Sequence, residues 1–111
     1  MTQTNLEQLA ADLHVNSVSK GFYDDEFNIH FILGKLALIH SEVSEILEAI
    51  RKEQGDEKVA DEFADVFIRT LDLWNALKEY GWISKNIDIA EAIDKKANIN
   101  KGRPHMHGVL A

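Results

Sequence analysis

From Ile32 to Ile50 apolar residues recur every three or four positions: Ile32, Leu36, Ile39, Val43, Ile46, Leu47 and Ile50. That period belongs to a helix, and no strand alternation competes with it in this chain. A second run follows the turn Gln54-Gly55-Asp56, with Val59, Phe63, Val66, Phe67, Thr70, Trp74 and Leu77 on its stripe. With one Pro and six Gly in 111 residues, little interrupts long helices. The turn is short, so the two helices it joins are expected to lie antiparallel and adjacent.

The flanking segments complete an all-α, four-helix bundle. Thr4 is the expected cap of a first helix carrying Leu6, Leu9, Ala10 and Leu13, which ends before Gly21. Gly21-Phe22-Tyr23-Asp24-Asp25 reads as a loop with aromatic anchors, Asn28 as the cap of the second helix, and Gly81 as the stop of the third. Asp88-Ile89-Ala90-Glu91 resembles a capping box opening a fourth helix, which closes near Gly102 and Pro104. Residues 1–111 are expected to form one domain, with 103–111 as a tail.

Composition excludes several classes. There is no Cys, so disulfides and thiolate chemistry are out. The formal net charge of −7 disfavours a nucleic-acid binder, and no apolar run approaches a membrane span. No signal-peptide pattern opens the chain, so a cytoplasmic location is expected. Charge is unevenly distributed. Glu42 to Asp65 is rich in acids, whereas from Lys95 onward Lys95, Lys96, Lys101 and Arg103 meet no acid at all.

Within the acidic stretch, Glu42 and Glu45 are three residues apart on one helix, and Glu62 and Asp65 repeat the spacing on the next. Such pairs share a helix flank, and antiparallel packing can bring four carboxylates together. Converging carboxylates repel unless a divalent cation joins them, and hard oxygen donors suit Mg²⁺, Mn²⁺ or Ca²⁺. The competing reading is a set of solvated faces, since 19 acids in a chain this short produce such pairs by chance. Glu48 and Asp72 are expected on the solvent side. A di-iron bundle is excluded, because no acid precedes any of the five His by three residues. Lys96, Asn100 and Arg103 line up along the fourth helix as a set suited to polyphosphate, or as an ordinary basic helix end.

Glu42-Val43-Ser44-Glu45, Glu62-Phe63-Ala64-Asp65, Lys96-x-x-x-Asn100-x-x-Arg103 and Asn100–Gly108 together resemble the MazG-like nucleoside triphosphate pyrophosphohydrolases. The likeness runs from about Leu36 to Gly108, and Ser41 stands where many members carry an additional Glu. The resemblance implies hydrolysis of a nucleoside triphosphate, a dNTP or a non-canonical NTP, to monophosphate and pyrophosphate in nucleotide-pool house-cleaning. It implies Mg²⁺, with Mn²⁺ as a substitute, on Glu42, Glu45, Glu62 and Asp65, and substrate phosphates on Lys96, Asn100 and Arg103. Glu42 is the candidate base for the attacking water.

A homodimer or a dimer of dimers is implied too, in line with off-stripe apolar residues such as Phe31, Leu38 and Leu71. Phosphoribosyl-ATP pyrophosphohydrolase is the nearest enzymatic alternative, and a non-catalytic acidic helical module the alternative from another class. Phe22, Tyr23, Trp74 and Trp82 are expected to pack rather than stack a base. Lys35 lies within reach of either ligand or solvent, and His105 and His107 are expected in solvent. No pattern selects base or sugar.

Overall fold

A computed structural model describes residues 5–103. It contains α1 (Leu6–Ser19), α2 (Ile29–Arg51), α3 (Asp56–Glu79) and α4 (Ile89–Lys101), and no strand among the described residues. The caps follow side-chain chemistry. Asn28 accepts from the Phe31 N–H at the start of α2, and Asp88 accepts from the Glu91 N–H at the start of α4. The cap of α1 is Asn5, accepting from the Gln8 N–H, rather than the expected Thr4, which lies outside the described residues. The other expected features outside them are Pro104–Ala111 of the tail, with His105 and His107. No helix among the described residues is long and apolar enough to cross a membrane.

α3 is the central element. Both α1 and α2 pack against it, and α4 packs on α1. Glu7 of α1 fastens three elements at once, accepting from Trp74 Nε1 (2.8 Å), from the Ile89 N–H (2.7 Å) and from the Lys78 ammonium. Burial alone would raise the Glu7 pKa; the bonds from Lys78, Ile89 and Trp74 outweigh it and leave the carboxyl below its ordinary value. At the other end, Phe27 stacks on Tyr80 with centroids 4.3 Å apart, and Tyr23 and Phe31 extend the aromatic cluster. This ties the α1–α2 loop to the end of α3.

The buried face of α3 differs from the expected stripe. Glu62, Asp72, Leu73 and Ala76 are buried, whereas Phe63 and Phe67 are 44% and 61% exposed. On a helical wheel this face is turned by roughly 100° from one centred on Phe63. α2 behaves alike: Ile32 and Ala49 are buried, while Val43, Leu47 and Ile50 are exposed. Apolar periodicity marks what a helix must hide, without distinguishing its own chain from another copy. Asp72 is also corrected. Expected in solvent, it is buried and accepts from His14 Nδ1 (2.8 Å) and Ser17 Oγ (2.7 Å). The pairing explains how an acid tolerates the interior.

Candidate functional site

The α2–α3 register follows from one cross-helix bond, Arg69 Nε to Glu42 Oε1 at 3.0 Å. Seven residues make almost two turns, so Lys35, Glu42 and Ala49 share a line on α2, and Glu62, Arg69 and Ala76 share one on α3. Antiparallel packing through the Glu42–Arg69 bond sets Ala49 level with Glu62. Ala49 and Ala76 are wholly buried, and their small side chains permit close helix approach on either side of the charged pair.

That register brings carboxylate oxygens of Glu42, Glu62 and Asp65 within 4.8 Å of one another. Glu62 is 6% exposed and held by Lys58 at 2.9 Å; Glu42 is half-buried and held by Arg69; Asp65 is exposed. Lys58 has a raised pKa, first through its bond to Glu62, then through the charges of Glu62, Glu45 and Asp61. Glu45 is thus close enough to act on Lys58 but exposed and outside the three-oxygen cluster. Lys96, Asn100 and Arg103 are all exposed on and just beyond α4, which packs on α1 and not on the α2–α3 pair. Within one chain the expected phosphate set is therefore not assembled against the carboxylates.

Three oxygen donors converging from two helices fit a hard divalent cation. The set is anionic, geometrically compact and without softer ligands, and its most buried member retains a free carboxylate oxygen. Asp65 also lines a cavity of about 390 Å³, with Ser17, Phe22, Tyr23, Lys35, Leu38, Ile68, Arg69 and Asp72 around it. Its size lies at the small end of the range for small-molecule pockets, roughly 300–1,000 Å³. Burial raises the Tyr23 phenol far above its ordinary pKa, and the Asp72 charge adds to this. Tyr23 Oη is buried without a well-formed hydrogen bond among the described residues.

Sequence reasoning found the three clustered acids but missed His14, Ser17, Arg69 and Asp72. Arg69 is one turn beyond Asp65, a spacing that marks the same flank, but Asp72 carried no signal short of its partners on α1.

An all-α chain in which three carboxylates converge from two packed helices, one of them lining a cavity, defines a class of helical proteins with an acidic inter-helix site. More specifically, residues 33–107 match the model of the MazG nucleotide pyrophosphohydrolase domain, and the chain belongs to that family. Searches of curated proteins and of solved structures each returned no match.

Proposed function

We propose that the chain hydrolyses a nucleoside triphosphate, a dNTP or a non-canonical NTP, to the monophosphate and pyrophosphate, in nucleotide-pool house-cleaning in the cytoplasm. The observation that carries this is the convergence of Glu42, Glu62 and Asp65, the last of which lines the cavity, in a chain of the MazG family. These three residues would hold Mg²⁺, or Mn²⁺ in its place, with Glu45 closing from the adjacent turn. The cation would supply neutralisation of phosphate charge and stabilisation of the leaving pyrophosphate.

The chain's own residues do the rest. Glu42, held in place by the Nε bond from Arg69, orients a water and receives its proton. That water attacks the α-phosphorus, the bond from it to the bridging oxygen breaks, and pyrophosphate departs with the electron pair. The cavity holds the nucleoside.

Lys96, Asn100 and Arg103 would bind phosphates from the α4 of a second copy, giving a homodimer or a dimer of dimers. Two observations favour assembly. Exposed apolar side chains run along α2 and α3, and the radius of gyration of 16.2 Å exceeds the roughly 13 Å of a compact domain of about this length.

The test is pyrophosphate and monophosphate release from a panel of canonical and modified NTPs and dNTPs, with Mg²⁺ and with EDTA. Stoichiometric, metal-dependent release supports the reading. Release confined to phosphoribosyl-ATP, or none from any substrate, overturns it in favour of that activity or of a non-catalytic helical module.

A further inference from the structure

Asp65 is the member of the carboxylate cluster that lines the cavity. Two cations, Lys35 of α2 and Arg69 of α3, line the same space. Lys35 has no carboxylate partner among the described residues, and Arg69 spends only one nitrogen on its partner, Glu42. Lys35 makes no ion pair or hydrogen bond among the described residues; its ammonium lies 4.6 Å from the Tyr23 ring centroid, 5.1 Å from Phe31 and 5.8 Å from Phe22. An aromatic cage pins such a charge while leaving its N–H donors without acceptors. Arg69 uses Nε on Glu42, and its terminal nitrogens have no partner among the described residues.

The nearby acids do not supply the missing acceptors. Asp72 already accepts from His14 and Ser17, and Asp65 belongs to the cluster facing Glu42 and Glu62. Burial lowers the Lys35 pKa, Asp72 opposes that shift, and the charge of Arg69 adds to it. The two cations are thus near enough to repel. Like charges facing one small cavity, with donors unspent, form a site for an anion between them.

We propose that Lys35 and Arg69 clamp the α-phosphate, the one that stays on the nucleoside when pyrophosphate leaves, within a single subunit. This rests on the pyrophosphohydrolase reading of the same cavity and divides the phosphates between two sets of cations. The cavity pair takes the α-phosphate, and the basic set of α4 takes the β- and γ-phosphates. The anchored guanidinium fits the task, since its Nε bond to Glu42 fixes the plane and directs the remaining fork at a phosphate oxygen. The product monophosphate is then held by the cavity alone, with no need of the metal.

The experiment is a calorimetric titration of the full chain with nucleoside monophosphates and with inorganic phosphate, in EDTA, at low and moderate salt. Wild type is expected to bind a monophosphate, more weakly as salt rises. Lys35→Met keeps the aliphatic stem on the aromatic rings, and Arg69→Met removes the fork; each is expected to weaken binding by about tenfold or more. Lys35→Arg should recover most of the loss, and Lys85→Met, which removes an exposed loop charge, should change nothing. Circular dichroism melts confirm that each variant is folded.

The proposal is overturned if wild type binds no phosphate species without metal. It is equally overturned if Lys35→Met and Arg69→Met bind as wild type, or if Lys85→Met weakens binding equally. Metal-dependent pyrophosphate release measured in parallel separates the two readings. Release together with unaltered monophosphate binding in the variants overturns the clamp alone. Lys35-dependent binding without release from any triphosphate overturns the pyrophosphohydrolase reading alone.

Discussion

Replacing Glu62 by Gln should make the metal-free protein more stable and the metal-loaded protein less so. Glu62 lies within 4.8 Å of both Glu42 and Asp65, oxygen to oxygen. At an effective dielectric near 20, each such pair repels by roughly 3–4 kcal/mol. Arg69 on Glu42 and Lys58 on Glu62 offset most of this, leaving a net penalty on the order of 1 kcal/mol. Gln keeps the shape and removes one of the three charges, so metal-free melting should rise by about 4–8 °C per kcal/mol relieved.

Bound cation acts in the opposite sense. At a Mg²⁺ concentration a hundredfold above its dissociation constant, wild type gains about 2.7 kcal/mol, and the variant, short of one ligand, should gain almost none. Melts in EDTA and in MgCl₂ at one protein concentration give both quantities, and pyrophosphate release gives the third, expected to fall by at least a hundredfold. A lower metal-free melting temperature for Glu62→Gln, or an undiminished response to Mg²⁺, would refute the cluster as a cation site.

Three further outcomes follow from other parts of the molecule. Glu7 has a depressed pKa, so its stabilisation is complete above the unfolded carboxyl value near 4.5 and is lost as pH falls through the folded value. Glu7→Gln should therefore destabilise by about 1–3 kcal/mol at neutral pH and flatten the acid limb of a urea-midpoint profile. Asp72→Ala strips two buried donors of their acceptor and should cost about 2–4 kcal/mol in chemical denaturation; an effect below 0.5 kcal/mol would contradict the buried network. Leu47→Glu places a charge on the exposed apolar face of α2 and should shift light-scattering mass towards the monomer, whereas unchanged mass would remove that face from any subunit interface.

Local chemistry made much of the fold legible. Asn28, Gly81 and Asp88 act through short-range rules, and the structure places helix boundaries where those residues stand. Helix orientation about its own axis was less accessible. Phe63 and Phe67 looked like core because hydropathy cannot say which apolar stripe meets α1 or α2, and the real seam of α3 runs through Glu62, Leu73 and Ala76. The clustered acids were readable because their spacing is itself helical. Asp72 was not, since its burial depends on His14 and Ser17, more than fifty residues earlier in the chain.

The turn between α2 and α3 acquires a further meaning from this register. Glu53 at φ 52° and Gly55 at φ 99° bend the chain back through residues 52–55 so that Glu42 meets Arg69 and faces Glu62 and Asp65. Adding one residue there would slide α3 by about 1.5 Å or swing its face by about 100°. Either displacement pulls the acids of α3 away from Glu42 while leaving every acidic side chain in the sequence. The loop is a covalent ruler for the carboxylate cluster: its length, more than any residue it contains, decides whether the acids on two helices can meet.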